Sequence, residues 1–269
     1  MTKSGDYSQR INNYVEGQVM EENRVAVVTG AGSGIGRATA IRLAADGYRV
    51  TLAGRRESAL TETANLIGTE GTLVTICDVT DPDAVQSTLD QTISTFGRID
   101  VLVNNAGISR TAAFAKVNLR DWRAVMAADV ESIVLVTQAA LPGLLETRGS
   151  VINVASLAGL GGDPKMTMYN AAKGAVVNLT RSLAVELAPQ GVRVNAVAPS
   201  LTLTDAVADI PPDDVAEFIR RIPMGRAADP AEIADVIAFL AGNDARFGTG
   251  VILPVDGGLR ASSGQPPHR

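Results

Sequence analysis

The chain has 269 residues, 46% hydrophobic and 20% charged, enough for one large α/β core with no need of a second domain. Its formal charge of −5 offers no basic field to a phosphate backbone, so nucleic acid is not an expected partner. One cysteine excludes an internal disulfide, and one histidine, His268, excludes a histidine metal cluster and a Ser-His-Asp triad.

The first 22 residues are polar, with acidic side chains, and lack the apolar stretch of a secretory leader. No uninterrupted apolar run of about 18 residues occurs, so no membrane span is expected. The expectation is a cytoplasmic protein with an N-terminal arm over residues 1–22, one domain over 23–260 and a tail over 261–269.

From Arg24 onward, short β-branched runs alternate with alanine-rich helical segments. Strands are expected at 24–29, 49–53, 72–76, 100–104, 150–155, 192–198 and 250–255. Helices are expected at 35–47, 82–97, 121–146, 168–191 and 230–243, several ending in the glycine that stops a helix. The pattern is that of a doubly wound Rossmann-type α/β fold, a parallel sheet of about seven strands with helices on both faces, whose ligands bind beyond the carboxyl ends of the strands.

The first strand runs into "TGAGSGIGRA", with Gly30, Gly34 and Gly36 spaced as G-x-x-x-G-x-G before a helix. Glycines let the backbone turn tightly and approach a pyrophosphate, whose charge a helix N-terminus stabilises. At the end of the second strand, where an acid would bond a ribose 2′-hydroxyl, Gly54 is followed by Arg55 and Arg56. Guanidinium groups grip a 2′-phosphate that a carboxylate would repel, which favours NADP(H), with NAD(H) the alternative. After the third strand, Asp78 either accepts from an adenine amino group or caps the helix beginning at Asp81 or Pro82.

The fourth strand ends in "NNAG", Asn104 to Gly107, and the fifth in "SVINVASLAGLGG", which sets Ser156 thirteen residues before the tyrosine of "MTMYNAAK". Tyr169 and Lys173 lie four apart and so share one helix face. A free phenol titrates near ~10, and a neighbouring ammonium favours its ionised form. The segment from Pro199 to Pro230 breaks the alternation; it reads as a surface excursion or as a lid, at about 200–229, over a site.

Taken in this order, these segments resemble the short-chain dehydrogenase/reductase family over about residues 23–259. The resemblance implies a hydride-transferring oxidoreductase acting on a ketone or secondary alcohol, with a 3-oxoacyl thioester the nearest guess. It implies Tyr169 as general acid or base, Ser156 as the donor that polarises the substrate carbonyl, and Lys173 as ligand of the nicotinamide ribose that lowers the tyrosine pKa. Cofactor contacts are implied at Gly30, Ser33, Gly34, Ile35, Gly36, Arg55, Arg56, Asp78, Val79, Asn105, Ala106, Gly107, Tyr169 and Lys173. Pro199, Thr202 and Thr204 of "PSLTLT" resemble a further segment that touches the nicotinamide and the phosphates.

Two positions depart from the family pattern. Ser200 stands where glycine is usual, and a positive φ there would cost serine more. Asp129 stands where an asparagine usually holds a helix distortion and a water linking the lysine to solvent. Asp129 is therefore expected to act in catalysis with an altered pH optimum, the bland alternative being an exposed helical aspartate.

The substrate is expected against Ser156, Leu157, Met166 and Phe218, with Leu160, Leu203 and Met224 nearby. Small carbonyl or alcohol substrates are the expected ligands, with sugars and steroids left open. An acyl carrier protein is a candidate partner through Arg220, Arg221 and Arg226, and the resemblance implies a homotetramer. The alternative from another class is a dinucleotide-sensing protein with weak or absent turnover.

Overall fold

The computed structural model describes residues 23–207 and 210–263. The arm at 1–22 and the part of the tail beyond residue 263 lie outside the described residues. Within them, the β-branched runs become β1 (Val25–Thr29), β2 (Arg49–Gly54), β3 (Thr72–Ile76), β4 (Val101–Asn104), β5 (Ser150–Val154), β6 (Arg193–Pro199) and β7 (Ile252–Val255). They pair in parallel in the order β3-β2-β1-β4-β5-β6-β7.

The helices are α1 (Gly34–Ala45), α2 (Glu57–Ile67), α3 (Pro82–Phe96), α4 (Leu119–Met126), α5 (Ser132–Thr147), α6 (Thr167–Leu187), α7 (Pro212–Arg221) and α8 (Pro230–Ala241). A π turn, Ala127–Glu131, joins α4 to α5. The sequence expectation ran 121–146 as one helix, with Asp129 at the family's site of helix distortion, where the π turn lies; it gave no range for α2, where Ala59, Leu60, Thr63 and Ala64 form a narrow buried face.

Every residue of β1 is buried, as a strand covered on both faces requires. Ala26 and Val28 pack with Leu43, Ile233 and Ile237 on one side of the sheet, while Val27 packs with Leu89, Leu144 and Leu187 on the other. The alternation is the two-residue period of a strand. Helix ends follow the sequence: Asp81 caps α3, accepting from the amides of Asp83 and Ala84, and Gly97 ends it in the left-handed region at φ 81.

The stretch Leu119–Thr147 is long and apolar enough by length and composition to cross a bilayer. Its apolarity has a local cause, because Ile133, Val136, Ala140 and Leu144 are buried within the fold.

Chain order reverses between β1 and β4, so the loops leaving these strands part and open a crevice at their carboxyl ends. Beneath it, Asn104 of β4 donates to Thr137 at 3.1 Å and to Asn153 of β5 at 2.9 Å, and Asn153 donates to Thr180 at 2.9 Å. Buried amides cost stability unless bonded, and this ladder satisfies them while tying α5 and α6 to the strands below the crevice.

Candidate active site

A cleft of about 830 Å³ follows this crevice from the glycine-rich turn to α6. Gly30 and Gly34 adopt φ of +65° and +51°, values that L side chains rarely take. Gly36 does not line the cleft. A Cβ there would fall 2.3 Å from the Gly30 carbonyl oxygen and 2.4 Å from Asn105 Nδ2, so its role is to let the turn fold onto α1. Asn105 braces the same turn, donating to the carbonyl oxygens of Thr29 at 2.9 Å and Gly30 at 3.3 Å. Thr29 Oγ1 in return accepts from the amides of Asn105 and Ala106.

The first turn of α1 carries no acidic residue, and the Ser33 side chain does not cap it. The helix N-terminus therefore offers its amides and dipole to an anion. Ser33, Ile35, Arg55, Arg56, Val79, Ala106 and Gly107 line the cleft with it. Arg56 Nη2 donates to Ser33 Oγ at 3.3 Å, which brings a guanidinium to the edge of the phosphate turn. These features fit a dinucleotide: a close-approach backbone, an uncompensated helix N-terminus and two arginines with no acid at Gly54.

Asp78 also lines the cleft but caps no helix, because Asp81 takes that role. Its Oδ1 accepts from the Thr80 amide at 3.0 Å and the Thr80 hydroxyl at 2.8 Å, bonds that hold the carboxyl below the usual aspartate range.

At the other end, Ser156 follows β5 and its Oγ accepts from the Ala158 amide at 3.1 Å. Tyr169 and Lys173 stand one turn apart on α6, with the ammonium 5.6 Å from the ring centroid. Lys173 Nζ donates to the Val154 carbonyl oxygen at 3.0 Å and lies 3.2 Å from Asp129 Oδ2. Asp129 is fully buried at the π turn, and its Oδ1 accepts from the Ile108 amide at 2.7 Å. The exposed-aspartate alternative fails, because Asp129 is fully buried and in direct contact with the lysine.

Burial alone pushes the Lys173 ammonium down. Tyr169 and Asp129 outweigh it and hold the lysine pKa above its ordinary value. A buried pair of this kind costs about 3–5 kcal/mol to break from one side, against about 1 kcal/mol or less for a surface pair. The extra turn of π helix is what brings the carboxylate to the lysine.

Pro199, Thr202 and Thr204 line the same cleft, as does Met166. Ser200 is not among the residues with positive φ, so the expected strain is absent and the turn accommodates serine. Two of the residues expected at the substrate do not line the cleft. Leu157 opens a short 3-10 turn and is not among the residues that line the cleft, while Phe218, 40% exposed on α7, also lies off it. Leu160, Leu203 and Met224 are likewise outside the lining, whereas Ile210 is part of it.

The residues 200–229 divide accordingly: Leu201, Thr202, Thr204, Asp205, Val207 and Ile210 face the cleft, and beyond them Val215, Ile219, Ile222 and Ala227 pack with Leu201 and Leu259. Sequence reasoning missed Ile108 and Val154, whose contributions are backbone groups that no side-chain pattern reveals.

The model of a family described as enoyl-(acyl carrier protein) reductase matches residues 30–260. The chain is 43% identical over 245 residues to a meso-2,3-butanediol dehydrogenase of Serratia marcescens, covering 91% of this chain and 98% of the relative. It is 38% identical over 244 residues to a 3-oxoacyl-[acyl-carrier-protein] reductase of Thermotoga maritima, covering 88% and 98%. The crystal structure of a levodione reductase superposes with a TM-score of 0.85 at 35% identity, over 89% of this chain and 98% of that one. With the glycine-rich turn, the doubly wound sheet and the Ser156–Tyr169–Lys173 cleft on one scaffold, the chain belongs to the short-chain dehydrogenase/reductase family of oxidoreductases.

Proposed function

We propose that this protein interconverts a ketone and a secondary alcohol with NADP(H) in preference to NAD(H), using Tyr169 for proton transfer. The observation that carries the reading is one cleft lined by the phosphate turn, Arg55, Arg56, Ser156, Tyr169 and the buried Lys173–Asp129 pair.

The bound nicotinamide supplies or takes the hydride. The turn at Gly30–Gly34 and the N-terminus of α1 hold the pyrophosphate, and Arg55 and Arg56 hold a 2′-phosphate. Thr202 would hold the nicotinamide end, and Thr204, packed against Gly34, would reach the phosphates. Ser156 Oγ already accepts from Ala158, so its own O–H is free to donate to the substrate oxygen. Tyr169 gives its phenolic proton to that oxygen during reduction and takes it back during oxidation. Lys173 directs one N–H to the Val154 carbonyl oxygen and faces Asp129 as an ion pair, and an ammonium's remaining N–H groups are available to the ribose or to Tyr169.

Relatives that are 43% identical carry names of dehydrogenases for small free alcohols, meso-2,3-butanediol and cis-4-hydroxycyclohexanecarboxylate, which supports a small free substrate. The second reading, a 3-oxoacyl thioester, is supported by the 3-oxoacyl-[acyl-carrier-protein] reductases among the relatives. The basic patch expected for a carrier protein is partly offset, since Arg220 and Arg221 share Glu217 and Arg226 pairs with Glu232. A homotetramer is part of the proposal, supported by the exposure of Phe239 and Phe247 around α8.

Oxidation of NADPH and of NADH, followed with a vicinal diketone, a cyclic ketone and an acetoacetyl thioester, tests the reading. Turnover of a free ketone with NADPH preferred supports it. Cofactor binding without turnover on any carbonyl overturns it in favour of a dinucleotide sensor.

A further inference from the structure

Asn170 has no part in the scheme above, yet its side chain gathers the segment that follows Ser156. Nδ2 donates to the carbonyl oxygens of Ala158 at 2.8 Å and Gly161 at 3.2 Å and to Asp163 Oδ2 at 3.1 Å. All three partners are acceptors, which fixes the amide with its nitrogen toward the segment. Ala158 is also the residue whose N–H donates to Ser156 Oγ. One residue thus links the Asn170 amide to the serine hydroxyl.

The rest of the segment is held with little slack. A Cβ on Gly159 would fall 2.5 Å from the Lys173 carbonyl oxygen, so the chain lies directly on α6. The Asp163 carbonyl oxygen accepts from the Met166 amide at 3.3 Å. Lys165, in the left-handed region at φ 64, presents its carbonyl oxygen to the Ala112 amide at 2.8 Å, tying this segment to the one that leaves β4.

We propose that Asn170 is a positioning residue that clamps the stretch from Ser156 to Met166 onto the helix bearing Tyr169 and Lys173. It sets the direction in which Ser156 presents its O–H and the wall that Met166 forms. The inference rests on the reading of Ser156 and Tyr169 as the reacting groups. Alanine at this position removes the clamp. Aspartate keeps the shape but turns an acceptor toward three acceptors, one of them a carboxylate, and is the more damaging change.

The test compares the full chain with Asn170→Ala and Asn170→Asp by hydrogen exchange of the backbone, NADPH titration and steady-state kinetics on the ketone substrate. The expected result is faster exchange across residues 157–165 and a fall in kcat/KM of about 10- to 100-fold, larger for aspartate, the scale of loss that small misplacements produce. NADPH affinity is expected to stay within about twofold of the parent, because the clamp touches none of the phosphate-binding groups. Unchanged exchange over 157–165 in both variants would overturn the proposal, as would loss of NADPH affinity in step with activity. A parent chain that binds NADPH but reduces no ketone would sink the functional reading instead, and the exchange data would then decide the clamp alone.

Discussion

Lys173 Nζ lies 3.2 Å from Asp129 Oδ2, with the lysine 5% exposed and the aspartate fully buried. The lysine pKa is raised in the folded state, so the stability this pair contributes is complete below the unfolded value near 10.5 and is lost only as pH climbs through the folded one. Its contribution is therefore constant across the neutral range.

Asp129→Ala leaves the ammonium buried without its counter-charge and is expected to cost about 3–5 kcal/mol, measured as a fall in the denaturant midpoint. Asp129→Asn keeps an acceptor for the Ile108 amide and costs less. It also leaves Lys173 less compensated, which favours the deprotonated proton-transfer group. The pH–rate profile of alcohol oxidation is expected to move toward lower pH. An unchanged profile contradicts a role for Asp129 in setting the charge of the site.

Gly54 closes β2 beside the two arginines, and a Cβ there would meet Leu60 Cδ2 at an ordinary 3.4 Å. Gly54→Asp is thus expected to fold. Its carboxylate would repel a 2′-phosphate and accept from a 2′-hydroxyl, lowering the NADPH to NADH ratio of kcat/KM by about 10- to 100-fold. An unaltered ratio contradicts 2′-phosphate recognition at this corner.

Gly36→Ala places a methyl group 2.3 Å from the Gly30 carbonyl oxygen. The obstacle is backbone, so the turn itself must shift. A loss of about 1–3 kcal/mol is expected, together with weakened cofactor binding by fluorescence titration. Parent-like affinity would show that the turn does not set the phosphate site.

Glu232 accepts from Arg226 and from the Asp229 amide, which lower its carboxyl from 4.5 to about 2. A depressed carboxyl stabilises the fold above its unfolded pKa and loses that effect as pH falls toward the folded one. The acid limb between about pH 4.5 and 2 should therefore flatten in Glu232→Gln, read as denaturant midpoint against pH. The same slope in both proteins contradicts this role for the Arg226–Glu232 pair.

The parts legible in the sequence are those written in consecutive residues. Buried parallel strands appear as valine-rich runs, and the glycine spacing at 30–36 announces a turn that the backbone dihedrals require. Tyr169 and Lys173 declare a shared helix face by their spacing, and Ser156 by its place at the end of β5. What stayed hidden depends on contacts between distant segments. The π turn at Ala127–Glu131 accompanies the contacts of Asp129 with Ile108 and Lys173; residue periodicity does not signal it, and only the family resemblance at Asp129 pointed to a distortion there. Asp78 reads as adenine contact or helix cap until the structure gives the cap to Asp81 and the Asp78 carboxyl to the turn at Thr80. Phe218 and Leu157 lie off the cleft lining, which apolar character and nearness in sequence do not decide. Asn170 sits inside the most informative motif, but its partners lie 7 to 12 residues earlier, on a segment whose path only the fold reveals.

The central claim is proton transfer by Tyr169 in a nicotinamide-dependent carbonyl reaction, and removing one oxygen atom tests it. NADPH oxidation is followed with the best ketone of the panel for the parent chain and for Tyr169→Phe, with NADPH binding measured in parallel. The account predicts a loss of kcat of about 10²- to 10⁴-fold with NADPH still bound. A Tyr169→Phe chain that turns over at the parent rate would contradict it.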